Sequence, residues 1–171
     1  MLAFAGWLQS TRLSVTIQSV EWVIPLLQSI HILMIGVVFV SILMIAMRVL
    51  GRMRTDETFS AVWRRFAPWM WSGLVVMTVT GVILVIGEPI RQVTALSFWL
   101  KMTLLAIGVA SAVVFGRVLK PADFAGEPAI EFSGSAKSAA VATVVLWLAI
   151  IFLGRAIAYD VEVWGSLSLA S

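Results

Sequence analysis

The order of apolar and polar positions divides the chain into four long apolar runs, residues 23–47, 66–86, 97–116 and 138–159, separated by stretches that hold most of the charge. Each run reaches about twenty residues, the length that crosses roughly 30 Å of hydrocarbon at 1.5 Å per residue. None shows the alternating polarity of a barrel strand. A backbone in lipid must satisfy its own hydrogen bonds, so the runs predict four transmembrane helices. Ahead of them, AFAGWLQSTRLSVTIQSVEW mixes apolar residues with Gln9, Ser10, Arg12, Gln18 and Glu21. That segment is too polar to cross and predicts an amphipathic helix, within residues 1–22, lying in the interface. Pro25 falls in the first turn of the first span, where a missing N–H costs nothing. The first eight residues carry no basic segment and no cleavage pattern, so insertion is expected to depend on the spans themselves. The expected fold is all-α: a single membrane domain over 1–171, an integral four-helix bundle with an N-terminal interfacial helix.

Composition points the same way. A hydrophobic share of 61% against 12% charged residues, with mean hydropathy +1.03, exceeds what a water-soluble domain of 171 residues carries. The net charge of +3 does not imply nucleic acid, because the basic residues flank apolar spans, where the positive-inside bias accounts for them. The absence of cysteine excludes disulfides, iron–sulfur ligation and zinc–thiolate sites. Arg48, Arg52, Arg54, Arg64, Arg65, Arg117, Lys120 and Lys137 fall on one side of the spans, and only Arg12, Arg91, Lys101 and Arg155 on the other. The richer side is expected to face the cytoplasm of a bacterial inner membrane, which leaves both termini periplasmic. Trp22, Trp63, Trp69, Trp71, Trp99 and Trp164 fall near span ends and are expected to anchor in the headgroup zone. Gly108, Ala112 and Gly116 recur every four residues, a smooth stripe for close packing against a neighbour. The loop KPADFAGEPAIEFSGSAK is rich in Pro, Gly and Ser and reads as a flexible connection.

Candidate chemistry rests on the few ionisable residues inside spans, since a charge in hydrocarbon costs at least about 2.5 kcal/mol. His31, Lys101 and Arg155 come from three different spans and share a depth of roughly 6 to 12 Å below the outer interface. Gln28 lies one turn before His31 on the same face, and Glu21, Ser29, Glu88, Arg91 and Tyr159 are near enough in sequence to form a rim. Structural roles compete with functional ones: Lys101 and Arg155 can snorkel, and a neutral imidazole can bond a carbonyl or Gln28. An imidazole rimmed by cations could hold haem b, with His31 as axial ligand and Lys101, Arg91 or Arg155 on the propionates. The same group could hold a quinone head group, whose carbonyls would accept from His31 and Lys101. A third possibility is copper, with His31 and Met34 three residues apart on one helix face. One histidine, no cysteine and no acidic pair inside a span leave no hydrolase constellation.

The segments WVIPLLQSIHILMIGVVFVSILMIAMRVLG, RFAPWMWSGLVVMTVTGVILVIGEPIRQV, SFWLKMTLLAIGVA and LGRAIAY resemble, over nearly the whole chain, a family of short, uncharacterised bacterial four-span membrane proteins. That family is distantly similar to the copper resistance protein D family and to the haem-b-binding protoporphyrinogen oxidase family. The resemblance implies that His31, in QSIH, and Lys101, in FWLK, occupy the positions of the oxidase family's proposed haem-contacting residues. Late in the third span the close family usually carries Asn or His, where this chain reads GVASAVVFG with only Ser111 polar.

These readings lead to an expected membrane redox-associated protein that binds haem b or a quinone in an outer-leaflet pocket, as an oxidoreductase or an electron-transfer subunit. The alternatives are a non-enzymatic accessory or homo-oligomeric subunit, associating through the small-residue stripe or aromatic faces, and a protein of copper handling or transport.

Overall fold

The computed structural model describes residues 2–119 and 132–169. Its helices are α1 (Leu2–Gln9), α2 (Arg12–Ser19), α3 (Val23–Val49), α4 (Phe59–Gly87), α5 (Pro89–Thr94), α6 (Leu96–Leu119), α7 (Gly134–Ala156) and α8 (Asp160–Trp164), with 3-10 turns at Ile157–Tyr159 and Gly165–Leu167. No strand occurs among the described residues. α3, α4, α6 and the segment beginning with α7 are long and apolar enough to cross a membrane, and they make the chain a multi-pass membrane helical bundle.

The spans run alternately up and down. α3 packs along α4 on one side and α7 on the other, and α6 packs along α7. α4 and α6 approach less closely. Trp63 of α4 bridges that gap: it is 7% exposed, and a Cβ placed on Gly116 of α6 would come within 2.5 Å of its ring. At Gly108, two turns earlier, the ring of Trp147 from α7 stands 3.4 Å from the position a Cβ would take. The stripe of Gly108, Ala112 and Gly116 is therefore filled by two indoles of the same chain and is not a free surface for a second subunit. Trp63 is core and not an interfacial anchor, whereas Trp22 and Trp69 stay about two-thirds exposed on the outside.

The spans are longer than the apolar runs. α4 begins at Phe59, seven residues before the expected start, because the Thr58 hydroxyl caps it by accepting from the Ala61 N–H at 3.2 Å. Phe59, Val62, Trp63, Ala67 and Met70 are buried at helical spacing, while Arg64 and Arg65 are exposed on the other side. The two arginines that look like loop are thus the polar face of an amphipathic extension. Ser133 caps α7 in the same way, accepting from the Ala136 N–H at 3.3 Å, so the Gly134–Lys137 end of the expected loop is helical. The rest of that loop, 120–131, lies outside the described residues. At this end Arg48 is buried at 3% exposure; its Nε–H donates to the Glu57 carbonyl at 2.7 Å and its guanidinium lies 5.4 Å from the Phe132 ring centre.

The opposite end carries both described termini. The expected single interfacial helix is two helices, broken where the Ser10 and Thr11 hydroxyls donate to the Trp7 and Leu8 carbonyls and Thr11 then caps α2. α1 packs on α5, and α2 packs on α4 and α3. Leu2, Phe4 and Trp7 remain more than 60% exposed, an apolar row suited to a lipid interface. After α7 the chain folds back so that Asp160, 6% exposed, caps α6. Its carboxylate accepts from the Leu96 and Ser97 N–H groups at 2.9 and 2.8 Å and from the Ser168 hydroxyl at 2.7 Å, and Trp164 Nε1–H donates to Ser97 Oγ at 2.8 Å.

The two glycine environments make opposite predictions. Gly116→Ala forces the Trp63 ring to move and should destabilise by about 1–3 kcal/mol. Gly36→Ala, with open space around it, should be neutral or stabilising by up to about 1 kcal/mol. Thermal unfolding in detergent, followed by tryptophan fluorescence, separates them; equal midpoints would remove the indole-in-notch account.

Candidate functional site

His31 on α3, Thr80 and Gly81 on α4, Lys101 on α6 and Gly154 on α7 meet near the end that carries the termini. Antiparallel packing of α3 on α4 brings position 31 opposite 80 and 81, as it brings 38 opposite 73. Gly81 makes room for the imidazole, whose Cε1 lies 3.6 Å from where a Cβ would stand. Gly154 does the same for Lys101, whose Nζ, Cε and Cδ lie 3.3, 3.6 and 3.8 Å from the corresponding point. Lys101 and the His31 ring lie near one another.

The tautomer of His31 follows from its partner. Thr80 Oγ1, on a residue 5% exposed, stands 2.9 Å from the Val76 carbonyl and 3.2 Å from the Met77 carbonyl of its own helix. A hydroxyl has one proton, and here it is committed to those carbonyls. The 2.8 Å bond between His31 Nδ1 and Thr80 Oγ1 is therefore donated by Nδ1–H. A neutral imidazole then keeps Nε2 as an open acceptor.

Lys101 is half-buried and makes no hydrogen bond or ion pair among the described residues. Its side chain borders a narrow, partly open crevice otherwise walled by Ile35, Val38, Phe39, Met77, Trp147, Ile150 and Ile151. One cationic donor and one imidazole acceptor thus stand together where the surroundings are hydrocarbon.

The other residues singled out by the sequence are placed apart. Arg155 is exposed, donating to the Tyr159 hydroxyl at 3.2 Å with its guanidinium 5.2 Å from that ring. Arg91 is exposed and paired with Glu88 at 2.8 Å on α5. Gln28 and Glu21 are exposed, and the Ser29 hydroxyl donates to the Pro25 carbonyl at 2.8 Å. Met34 is half-buried against the core shared by the four spans. Among the described residues no three His, Asp or Glu side chains gather where a metal ion could sit.

Thr80, Gly81 and Gly154 are the members sequence reasoning missed. A lone threonine and single glycines inside spans carry no signal of their own; only the pairing of α3 with α4, and of α6 with α7, gives them a role. No known family, curated protein or solved structure matches this chain.

With one histidine in the chain, imidazole ¹⁵N spectra contain a single pair of ring resonances. The expected spectrum is that of protonated Nδ1 and unprotonated Nε2 near neutral pH, reverting toward the Nε2–H form in Thr80→Val. A wild-type spectrum with protonated Nε2 would overturn the assignment.

Proposed function

We propose that this chain is a redox-associated protein of the bacterial inner membrane that binds a quinone head group between Lys101 and His31, in the outer leaflet. The observation that carries the reading is Lys101, without a hydrogen-bond or ion-pair partner among the described residues and lining an apolar crevice, near a His31 ring whose Nδ1 is taken by Thr80 and whose Nε2 is left as an acceptor. A quinone carbonyl accepts from Lys101 Nζ. The hydroxyl of the reduced form donates to His31 Nε2, so the pair serves either redox state and gives its proton a place to go. The orientation is supported by Arg48, Arg52, Arg54, Arg64, Arg65, Arg117, Lys120 and Lys137 on one side of the spans against Arg12, Arg91, Lys101 and Arg155 on the other. It puts both termini in the periplasm.

The residues fit haem b and copper less well. Arg155 and Arg91, the propionate partners, are committed to Tyr159 and Glu88 outside the crevice. A copper ion on His31 would stand near the Lys101 ammonium, and like charges in a low dielectric repel strongly. A neutral molecule with oxygen acceptors meets neither obstacle.

The test is solvent extraction of the detergent-purified protein, with chromatographic assay of quinone, beside air-oxidised and dithionite-reduced absorption spectra. Wild type should yield bound quinone, and Lys101→Met and His31→Ala should retain about tenfold less at unchanged thermal midpoint. A Soret band that shifts on reduction, or quinone content untouched by both substitutions, would overturn the proposal.

A further inference from the structure

We propose that the outer side of the α4–α6 pair, at the end of the bundle away from the described termini, holds one anionic phospholipid, with its phosphate between Arg64 and Arg117 and an acyl chain along the two helices. The site is separate from the Lys101 crevice, which lies toward the other end, and stands without the quinone reading. Trp63 of α4 reaches Gly116 of α6, so positions 63 and 116 face one another at one level. The two helices run antiparallel and each turns by about 100° per residue with the same hand, so the residue after each contact position swings to the same side of the pair. Those residues are Arg64 and Arg117. Val62, on the opposite side of Trp63, is fully buried while both arginines are exposed, which makes theirs the outer side. One step along each of two antiparallel helices separates the arginines in depth by only about 3 Å. Their level is that of the head groups, since Arg64 stands just before the apolar run 66–86 and Arg117 just after the run 97–116.

Charge at this end is unevenly shared. Glu57 takes the Arg54 and Arg65 guanidinium groups on its carboxylate and Arg48 on its carbonyl. Arg64 and Arg117 make no hydrogen bond or ion pair among the described residues. Two guanidinium groups on one side of a helix pair, at the edge of hydrocarbon, repel each other; a phosphate diester between them removes the repulsion and accepts charge-assisted bonds from both. The surface that leads from them into the hydrocarbon suits a chain. α4 and α6 approach less closely than the other adjacent spans. On the arginine side α6 presents Val113, Ala110 and Ala106, at helical spacing from Arg117, and α4 presents Ala67 and the half-buried Trp71, at helical spacing from Arg64. Exposed alanines on one helix and a large ring on the other leave a shallow apolar groove. It favours a lipid over a free phosphate ion, because only a molecule with an acyl chain can occupy the arginine level and the groove at once.

The test is native mass spectrometry of the full chain released from nanodiscs that hold phosphatidylglycerol and phosphatidylcholine with identical acyl chains in equal amounts. Wild type should retain one phosphatidylglycerol in preference to phosphatidylcholine, and Arg64→Gln and Arg117→Gln should each lower that retention by about tenfold. Arg52→Gln, which removes the same charge from the exposed α3–α4 turn, should leave it unchanged. Ala110→Trp, which fills the groove and keeps both arginines, should lower it. All four positions are exposed, and an unchanged thermal midpoint in detergent identifies the folded variants. Arg64 and Arg117 address one phosphate from two helices, so either variant decides if the other fails to fold. Inorganic phosphate at millimolar concentration should not displace the lipid. Equal retention of the two lipids by wild type, retention untouched by the arginine substitutions or by Ala110→Trp, an equal loss in Arg52→Gln, or displacement by inorganic phosphate would each overturn the proposal.

Discussion

The fold depends on a large flat ring seated where there is no side chain. In lipid, two leucine faces gain little by leaving the tails for each other, so spans associate through shape and a few hydrogen bonds. Trp147 in the space at Gly108 and Trp63 in the space at Gly116 supply that shape. The first locks α7 to α6, and the second closes the wider gap between α4 and α6. Both rings are nearly fully buried, while Val75, Ile107, Val145 and Phe152 stay more than half exposed toward the surrounding hydrocarbon. Apolar residues thus have opposite fates, decided by whether a neighbouring helix or the lipid faces them.

The same rings leave the interior incompletely filled. An indole spans the distance between helices but does not fill the levels above and below it. The crevices on either side of Trp147 are the space that remains once α6 and α7 are held at indole distance. Packing and the candidate site therefore share Trp147.

Hydropathy made the spans, their number and their alternation legible in the sequence, because the lipid requirement acts on composition over twenty residues at once. The ends were less legible. The Arg64–Arg65 pair hides two further turns of α4, since a polar face and a loop look alike until the buried Phe59, Val62 and Trp63 are seen beneath it. At the site, the rarity of charge in spans picked out His31 and Lys101, and counting residues gave their depth. It gave only depth. Azimuth turns by about 100° per residue, so Gly154 faces Lys101 while Arg155, its neighbour, points outward to Tyr159. Thr80 lies 49 residues from its imidazole partner, and Asp160 lies 63 from the Ser97 amide it caps. Long-range pairings of this kind leave no periodic trace.

Asp160 also explains why Lys101 can be held at a defined level on a helix whose first turn would otherwise fray. Ser97 lies one turn before Lys101, on the same face of α6. The carboxylate takes the first two amides of α6, and Trp164 and Ser168 tie the same cluster to the returning chain. A helix start fixed by a buried anion fixes the axial position of every residue in the following turn, so the long, adaptable lysine side chain grows from a rigid base. On the other side the imidazole is fixed by Thr80, which is itself bonded into α4. Lysine and imidazole thus each hang from a satisfied polar anchor, which fixes where the two groups stand in the bundle.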